Sequence, residues 1–360
     1  MIYNHIHKNK QQQDARCKAR KRGFIMKIGV IGAGRIGKVH IRNISLFVPA
    51  LTIKTVADPF MNDKTAAYVK QFGIENVTKD AKDILQDPEI EAVIIASSTN
   101  THAQFIIESA KAGKNIFCEK PIDYDLKRVH EAIQAAKDAG VRLQIGFCRR
   151  FDHNHRAVYD MVKSGKVGQP HLIRISSRDP EPPSIDYVKV SGGIFYDMMI
   201  HDFDMARFLA GDEVEEVYAQ GSVLVDPEIG KAGDVDTAVV TLKFKSGTIA
   251  TIDNSRRAVY GYDQRVEVFG SKGVAFNGND IPNTAQFADA NGTVGGTAYQ
   301  VMWDRYEQAF VNEMNAFAKA IQDGTETPVT GEDGLYPVEM AAAATKSLKE
   351  GRPVKIEEVR

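Results

Sequence analysis

From Met26 onward the chain alternates compact apolar runs with amphipathic stretches. KIGVIG (27–32) is rich in β-branched residues, and the following AGRIGKVHIRNISLF sets Ile36, Val39, His40 and Ile44 at helical spacing. LTIKTVA, EAVIIAS, KNIFCEK and VRLQIGF read as further strands, separated by helical stretches near Asn62–Phe72, Thr101–Ala112 and Leu126–Ala139. Strands alternating with helices of this length imply right-handed βαβ units and a parallel sheet covered on both faces.

The pattern then changes. HLIRISSR, EEVYAQGSVLV, DTAVVTLKFKSG, TIATIDNSR and QRVEVFGSKG are strand-like, with turn signals at Ser246-Gly247 and Ser271–Gly273 and few helices between them. This predicts an open, mostly antiparallel sheet with one packed face. One helix over Asp197–Leu209 and a long one near Tyr299–Ile321 complete it. The fold class expected is α/β: a doubly wound Rossmann domain over residues 26–148, then an α+β domain over 149–360.

Length agrees, since 360 residues exceed what one core usually holds. Residues 1–25 are basic and Gln-rich without apolar periodicity, and lack the apolar stretch of a secretory signal. They are expected to be a disordered arm or to precede the natural start at Met26. A net charge of −1 gives no reason to expect a nucleic-acid partner. No run of roughly 18 to 20 apolar residues marks a membrane span. Cys17, Cys118 and Cys148 form no CxxC pair, which points to free thiols in a reducing cytoplasm.

Three motifs carry chemistry. GAGRIG supplies Gly32, Gly34 and Gly37 between the first strand and first helix, where glycines allow a tight turn, close approach of a pyrophosphate and close helix packing. Asp58 ends the second strand at the distance where a carboxylate accepts from ribose hydroxyls, and no Arg follows it directly. The expectation is NAD in preference to NADP. FCEKPI puts Lys120 at the carboxyl end of a strand, either facing the ligand crevice or as a solvated surface lysine.

The third motif is SGGIFYDMMIHDFDM (191–205), an apolar stretch with Asp197, His201 and Asp204 at i, i+4 and i+7 of a helix. Asp197 at a helix start and a satisfied core histidine are the structural readings; an open ligand set for a metal is another. No second His lies at ligand spacing, so proton handling beside a hydride acceptor fits better, with no metal. Trp303 is read as core packing, and DHNH (152–155) as an exposed polar loop.

GAGRIG with Asp58, CEKP and SGGIFYDMMIHDFD together resemble the glucose-fructose oxidoreductase/inositol dehydrogenase/MocA family from Met26 to the C-terminus, as do GFCRRFD, YVKVSGGIF and YGYDQRVEVFGSKG. The resemblance implies NAD-dependent oxidation of myo-inositol to 2-keto-myo-inositol, in inositol catabolism. Lys120, Asp197 and His201 would be its catalytic set. His201 would take the hydroxyl proton, Lys120 would hydrogen-bond the same oxygen, and Asp197 would pair with Lys120; Lys120 as the base stays open. Cofactor contacts are expected from Gly32, Gly34, Arg35, Ile36, Gly37, Asp58, Ser98, Asn100, His102, Glu119 and Lys120. Substrate contacts are expected from Arg150, Asp152, Asn154, Tyr260 and Tyr262 beside the catalytic set, and a homotetramer through the open sheet. Scyllo-inositol, D-chiro-inositol or an aldose are alternative substrates; a non-catalytic NAD or sugar sensor is the alternative of another class.

Overall fold

The structure, a computed structural model, describes residues 25–360. Nearly all of the expected N-terminal arm, with Cys17, lies outside the described residues.

Six parallel strands form the first sheet: β1 (Met26–Ile31), β2 (Leu51–Ala57), β3 (Asn76–Thr78), β4 (Ala92–Ile95), β5 (Asn115–Glu119) and β6 (Leu143–Gly146). Their spatial order is β3-β2-β1-β4-β5-β6, all pairs parallel. β4 is buried at every position, as a strand covered on both faces should be. Helices of eight residues or more are labelled here: α1 (Arg35–Phe47), α2 (Asp63–Lys70), α3 (His102–Lys111) and α4 (Leu126–Asp138) connect these strands. The order reverses at β1, between β2 and β4, and the crevice beyond the strand ends there is where such sheets bind ligands.

After α5 (His153–Lys163) comes the second sheet: β7 (Pro170–Arg178), β8 (Val214–Ser222), β9 (Thr237–Phe244), β10 (Ile249–Ser255), β11 (Asp263–Gly270) and β12 (Gly273–Phe276). With β15 (Val354–Lys355) its order is β12-β11-β7-β10-β9-β8-β15. Within this second sheet, among the described residues, only β7 and β10 pair in parallel; its other pairs are antiparallel. Strand β9 alternates buried Ala238, Val240, Leu242 and Phe244 with Thr237, Val239, Thr241 and Lys243, so one face packs. That face meets α6 (Ile200–Ala210) and α8 (Gly331–Glu350) in a core with Phe203, Leu209 and Met340. A separate exposed hairpin, β13 (Gln286–Asp289) with β14 (Gly292–Gly295), was not expected from sequence.

Three expectations change. The helix over Asp197–Leu209 is two pieces, a turn at Ile194–Asp197 and α6 from Ile200. The long helix α7 runs Glu307–Asp323, after a separate turn at Met302–Arg305 that leaves Trp303 37% exposed rather than in the core. Helix α8 was missed, because Gly334 and Pro337 inside it read as breakers; its legible signal is the capping box of Thr330 and Asp333. Both α7 and α8 return to the first sheet, burying Val311, Met314 and Phe317 on one side and Leu335 and Val338 on the other.

Candidate active site

The glycine loop is built as its spacing required. Gly32 has φ +103°, and a Cβ there would lie 2.4 Å from the Ala96 carbonyl oxygen; one on Gly37 would lie 2.2 Å from Gly32 O. A Cβ on Gly34 would meet nothing within 4 Å, so the backbone is open where a phosphate would approach. Gly34 caps α1 without a side-chain bond, and the first turn holds no acid to repel an anion. Asp58 accepts from Ala33 N (2.7 Å) and Phe60 N (2.8 Å), which fixes its carboxylate at the mouth of the loop. These residues fit a dinucleotide. Arg35 is exposed, while Ile36 packs against the cluster of Cys148, Tyr262 and Tyr306.

Ser98 and Asn100 are exposed in the turn after β4. His102, expected at the cofactor, is 2% exposed, with Nδ1 2.8 Å from Pro121 O and Nε2 3.1 Å from Ser97 O. It ties the turn after β4 to the turn after β5 instead of offering a ring nitrogen to a ligand. Glu119 is likewise buried, 2.6 Å from His40 Nε2.

Lys120 follows β5 and reaches across to the second unit, where its Nζ donates to the backbone carbonyl of Asp197 at 2.9 Å. The expected pairing with the Asp197 carboxylate is therefore corrected: that carboxylate accepts from Tyr187 Oη (2.8 Å) and Arg256 (3.1 Å). Arg256 is fully buried at the end of β10 and also reaches Asp234 at 3.3 Å, whose other oxygen accepts from Ile194 N. This bracket sets the turn on which Asp197 sits. Tyr187 extends it, since Arg35 of the glycine loop lies 5.8 Å over its ring.

His201 opens α6 and packs edge-on to Phe147, with Nδ1 buried and without a partner among the described residues. Burial, then the charges of Lys120 and Arg149, hold its pKa well below the ordinary imidazole value. It is neutral at pH 7, the form that can accept a proton. Arg149 is fixed by Asp202 (2.5 Å) and Ser177, and Asp202 accepts from Asn254 (2.9 Å).

Several expected substrate residues are placed elsewhere. Arg150 makes two-point contact with Asp204 and a further one with Asp333, so Asp204 is an ion-pair partner instead of part of a face shared with His201. Asp152 is 2% exposed between His155 and Arg305, which also removes DHNH as an exposed loop. Tyr260 is 45% exposed and bound to Asp263 and Arg178. Asn154, half-buried, donates its N–H to Asp152. Tyr262 is buried, and burial, with Tyr306 and Asp179 nearby, pushes its phenol well above the ordinary value against the opposing charge of Arg149. Asp179, after β7, was missed in the sequence, where nothing distinguishes it from a turn aspartate. Burial and the nearby Asp197 push its carboxyl up to about 6.

A Rossmann sheet with an open phosphate cradle, and a lysine and a neutral histidine at its edge, define an NAD-binding oxidoreductase with a second, sheet-based domain. Residues 26–147 match the model of the oxidoreductase family with an NAD-binding Rossmann fold, and residues 155–276 that of the GFO/IDH/MocA C-terminal domain. The chain belongs to the GFO/IDH/MocA family. It is 49% identical over 334 residues to the myo-inositol 2-dehydrogenase of Thermotoga maritima, covering 93% of this chain and 99% of that protein. To the inositol 2-dehydrogenase of Rhizobium meliloti it is 44% identical, covering 92% and 99%. The crystal structure of scyllo-inositol dehydrogenase from Lactobacillus casei with bound NAD(H) and scyllo-inositol superposes with a TM-score of 0.86 at 31% identity, covering 92% of this chain and 99% of that one. No described helix is long and apolar enough to cross a membrane.

Proposed function

We propose that this protein is an NAD-dependent inositol 2-dehydrogenase, oxidising myo-inositol to 2-keto-myo-inositol in inositol catabolism. The observation that carries the reading is the Lys120–Asp197 bond, which brings the lysine of the Rossmann domain beside the segment holding His201. The two relatives named as inositol 2-dehydrogenases support the substrate class.

Bound NAD supplies the hydride acceptor, and Gly34, the amino end of α1 and Asp58 would hold it. Loss of hydride from a ring carbon requires its hydroxyl to lose a proton. His201, neutral and with no Nδ1 partner among the described residues, takes that proton. The imidazolium formed is disfavoured by burial and beside Lys120 and Arg149, so it gives its proton up to solvent water and returns to the neutral form. Lys120 donates a hydrogen bond to the same oxygen and stabilises its developing charge. Asp197, held by Arg256 and Tyr187, presents its carbonyl to Lys120 and orients it. Asp179, with Tyr262 beside it, would read ring hydroxyls.

Scyllo-inositol is the second reading, favoured by the likeness to the scyllo-inositol dehydrogenase structure. The uncovered face of the second sheet carries a cross-strand row, Ile249 beside Leu172, Leu172 beside Phe269 and Phe269 beside Val274, all exposed. Such a row on an open sheet is suited to association with further copies, in line with a homotetramer. Buried free Cys118 and Cys148 support the cytoplasm as its setting.

Initial rates of NAD reduction with myo-inositol, scyllo-inositol, D-chiro-inositol and glucose, repeated with NADP and with chelator, test the reading. Chelator-insensitive, NAD-dependent oxidation of myo-inositol is expected. Silence on the whole panel with NAD binding intact would favour the sensor instead.

A further inference from the structure

One buried cluster is left unused by this mechanism. His40 on α1, Glu119 at the end of β5 and Glu313 on α7 bring an imidazole nitrogen and two carboxylate oxygens within 4.8 Å of one another. His40 and Glu313 are 0% exposed and Glu119 7%. The His40 ring is wedged edge-on between Phe117 and Phe310, and its Nε2 contacts Glu119 at 2.6 Å. Glu313 is the anomaly: neither carboxylate oxygen has a partner among the described residues.

Titratable groups that interact with these carboxylates are His102 on α3, Cys118 on β5 and Cys148 after β6, and the cations beside Cys148 are Lys120 and Arg149. Arg149 is committed to Asp202 and Lys120 to the Asp197 carbonyl, so no described cation pairs with Glu313. A buried carboxylate without a counter-charge takes up a proton instead of ionising, and two carboxyl groups sharing one dry site cannot both be charged. Burial and the neighbouring Glu119 accordingly raise the Glu313 pKa well above the usual carboxyl value.

We infer that Glu313 is a neutral carboxylic acid and a positioning residue: it keeps a second charge away from Glu119, which can then accept from His40 and pin the strand carrying Lys120 to the glycine-loop helix. Its bearing on catalysis rests on Lys120 being the catalytic lysine; its protonation does not. A bound divalent cation is the competing occupant. The His40–Glu119 contact has the length of a hydrogen bond; with Glu119 ionised its donor is the imidazole N–H, which leaves that nitrogen no lone pair for a metal.

Infrared spectra of the full protein at pH 8 should show the carbonyl stretch of a protonated carboxylic acid, lost in Glu313→Gln. Because the folded state binds a proton that the unfolded chain releases, wild-type stability falls as pH rises above the ordinary carboxyl pKa. The melting-temperature advantage of Glu313→Gln over wild type should therefore grow from pH 5 to pH 8. Glu313→Gln should keep kcat within about twofold and Glu313→Ala should not, the neutral isostere rescuing the position. An unchanged carbonyl region together with a pH-independent difference in melting temperature would overturn the inference. So would one equivalent of bound metal in wild type that Glu313→Gln lacks. Because spectrum and melting are read without substrate, their failure is distinguishable from failure of the dehydrogenase reading.

Discussion

Lys120 Nζ donates to the main-chain carbonyl of Asp197, while the Asp197 carboxylate turns away to Tyr187 and Arg256. A carbonyl orients an ammonium without adding a full opposing charge, so in the proposed mechanism Lys120 would keep its field for the substrate oxygen. The carboxylate holds the backbone in place, so the orientation of Lys120 reaches back to a buried arginine just after β10.

Arg256→Met should then cost about 3 kcal/mol, because it leaves Asp197 and Asp234 with one lost partner in a largely dry site. Urea denaturation measures that loss. Turnover should fall by at least tenfold with the KM for NAD unchanged, and a variant of normal kcat would remove the bracket from the mechanism.

Asp58→Ser removes the carboxylate while leaving a side-chain oxygen near Ala33 N. Hydrogen bonds to a charged group are worth about 1.5 to 3 kcal/mol, so the KM for NAD should rise about 10- to 100-fold. NADP, no longer repelled at its 2′-phosphate, should gain relative to NAD; the ratio of kcat/KM values for the two cofactors reads this directly.

Lys120→Met takes away a positive neighbour of His201, and its pKa should climb toward the ordinary value near 6.5. An NMR titration of the imidazole C–H resonances follows it without needing activity. In wild type the folded state binds fewer protons than the unfolded chain between the lowered pKa and about 6.5. Its stability therefore rises with pH through that window and is complete above it; in Lys120→Met the window narrows.

Asp179 titrates at about 6, so KM for the polyol should change near pH 6 as that carboxyl loses its proton. Asp179→Asn should flatten that change while the NAD dependence stays as it was. A KM profile identical to wild type would place Asp179 outside the substrate contacts.

Phe269→Asp puts a charge in the middle of the row Ile249, Leu172, Phe269 and Val274. Sedimentation should show smaller species than wild type with the fold retained by circular dichroism. An unaltered mass would mean that this face does not join copies.

Five of the six strands of the first sheet were legible because each is a short apolar run next to an amphipathic helix, whereas the edge strand β3, Asn76–Thr78, is too short and polar to stand out; the glycine loop was legible by its spacing. Lys120 and His201 stood out in the sequence as candidates, but the bond from Lys120 to the Asp197 carbonyl did not. The helix expected from Asp197 to Leu209 breaks between Asp197 and Ile200, which no Gly or Pro announces. Arg150 and Asp152 look like pocket residues in sequence because both are polar and follow a strand end. Their partners Asp204, Asp333 and Arg305 lie 54, 183 and 153 positions away, distances that local pattern does not encode. Asp179 and Arg256 were missed for the same reason.

The chain does not leave the first sheet for good at residue 147. Residues 327–329 run along β6, where Thr327 Oγ1 donates to Leu143 O and Ile145 N donates to Val329 O, and α7 and α8 complete both of its cores. A recombination that exchanged cofactor preference between relatives by splicing at the end of β6 would strand one parent's sheet under the other parent's helices. An interchangeable cofactor module in this protein is discontinuous, and a functional chimera has to carry residues 307–338 along with the amino-terminal half.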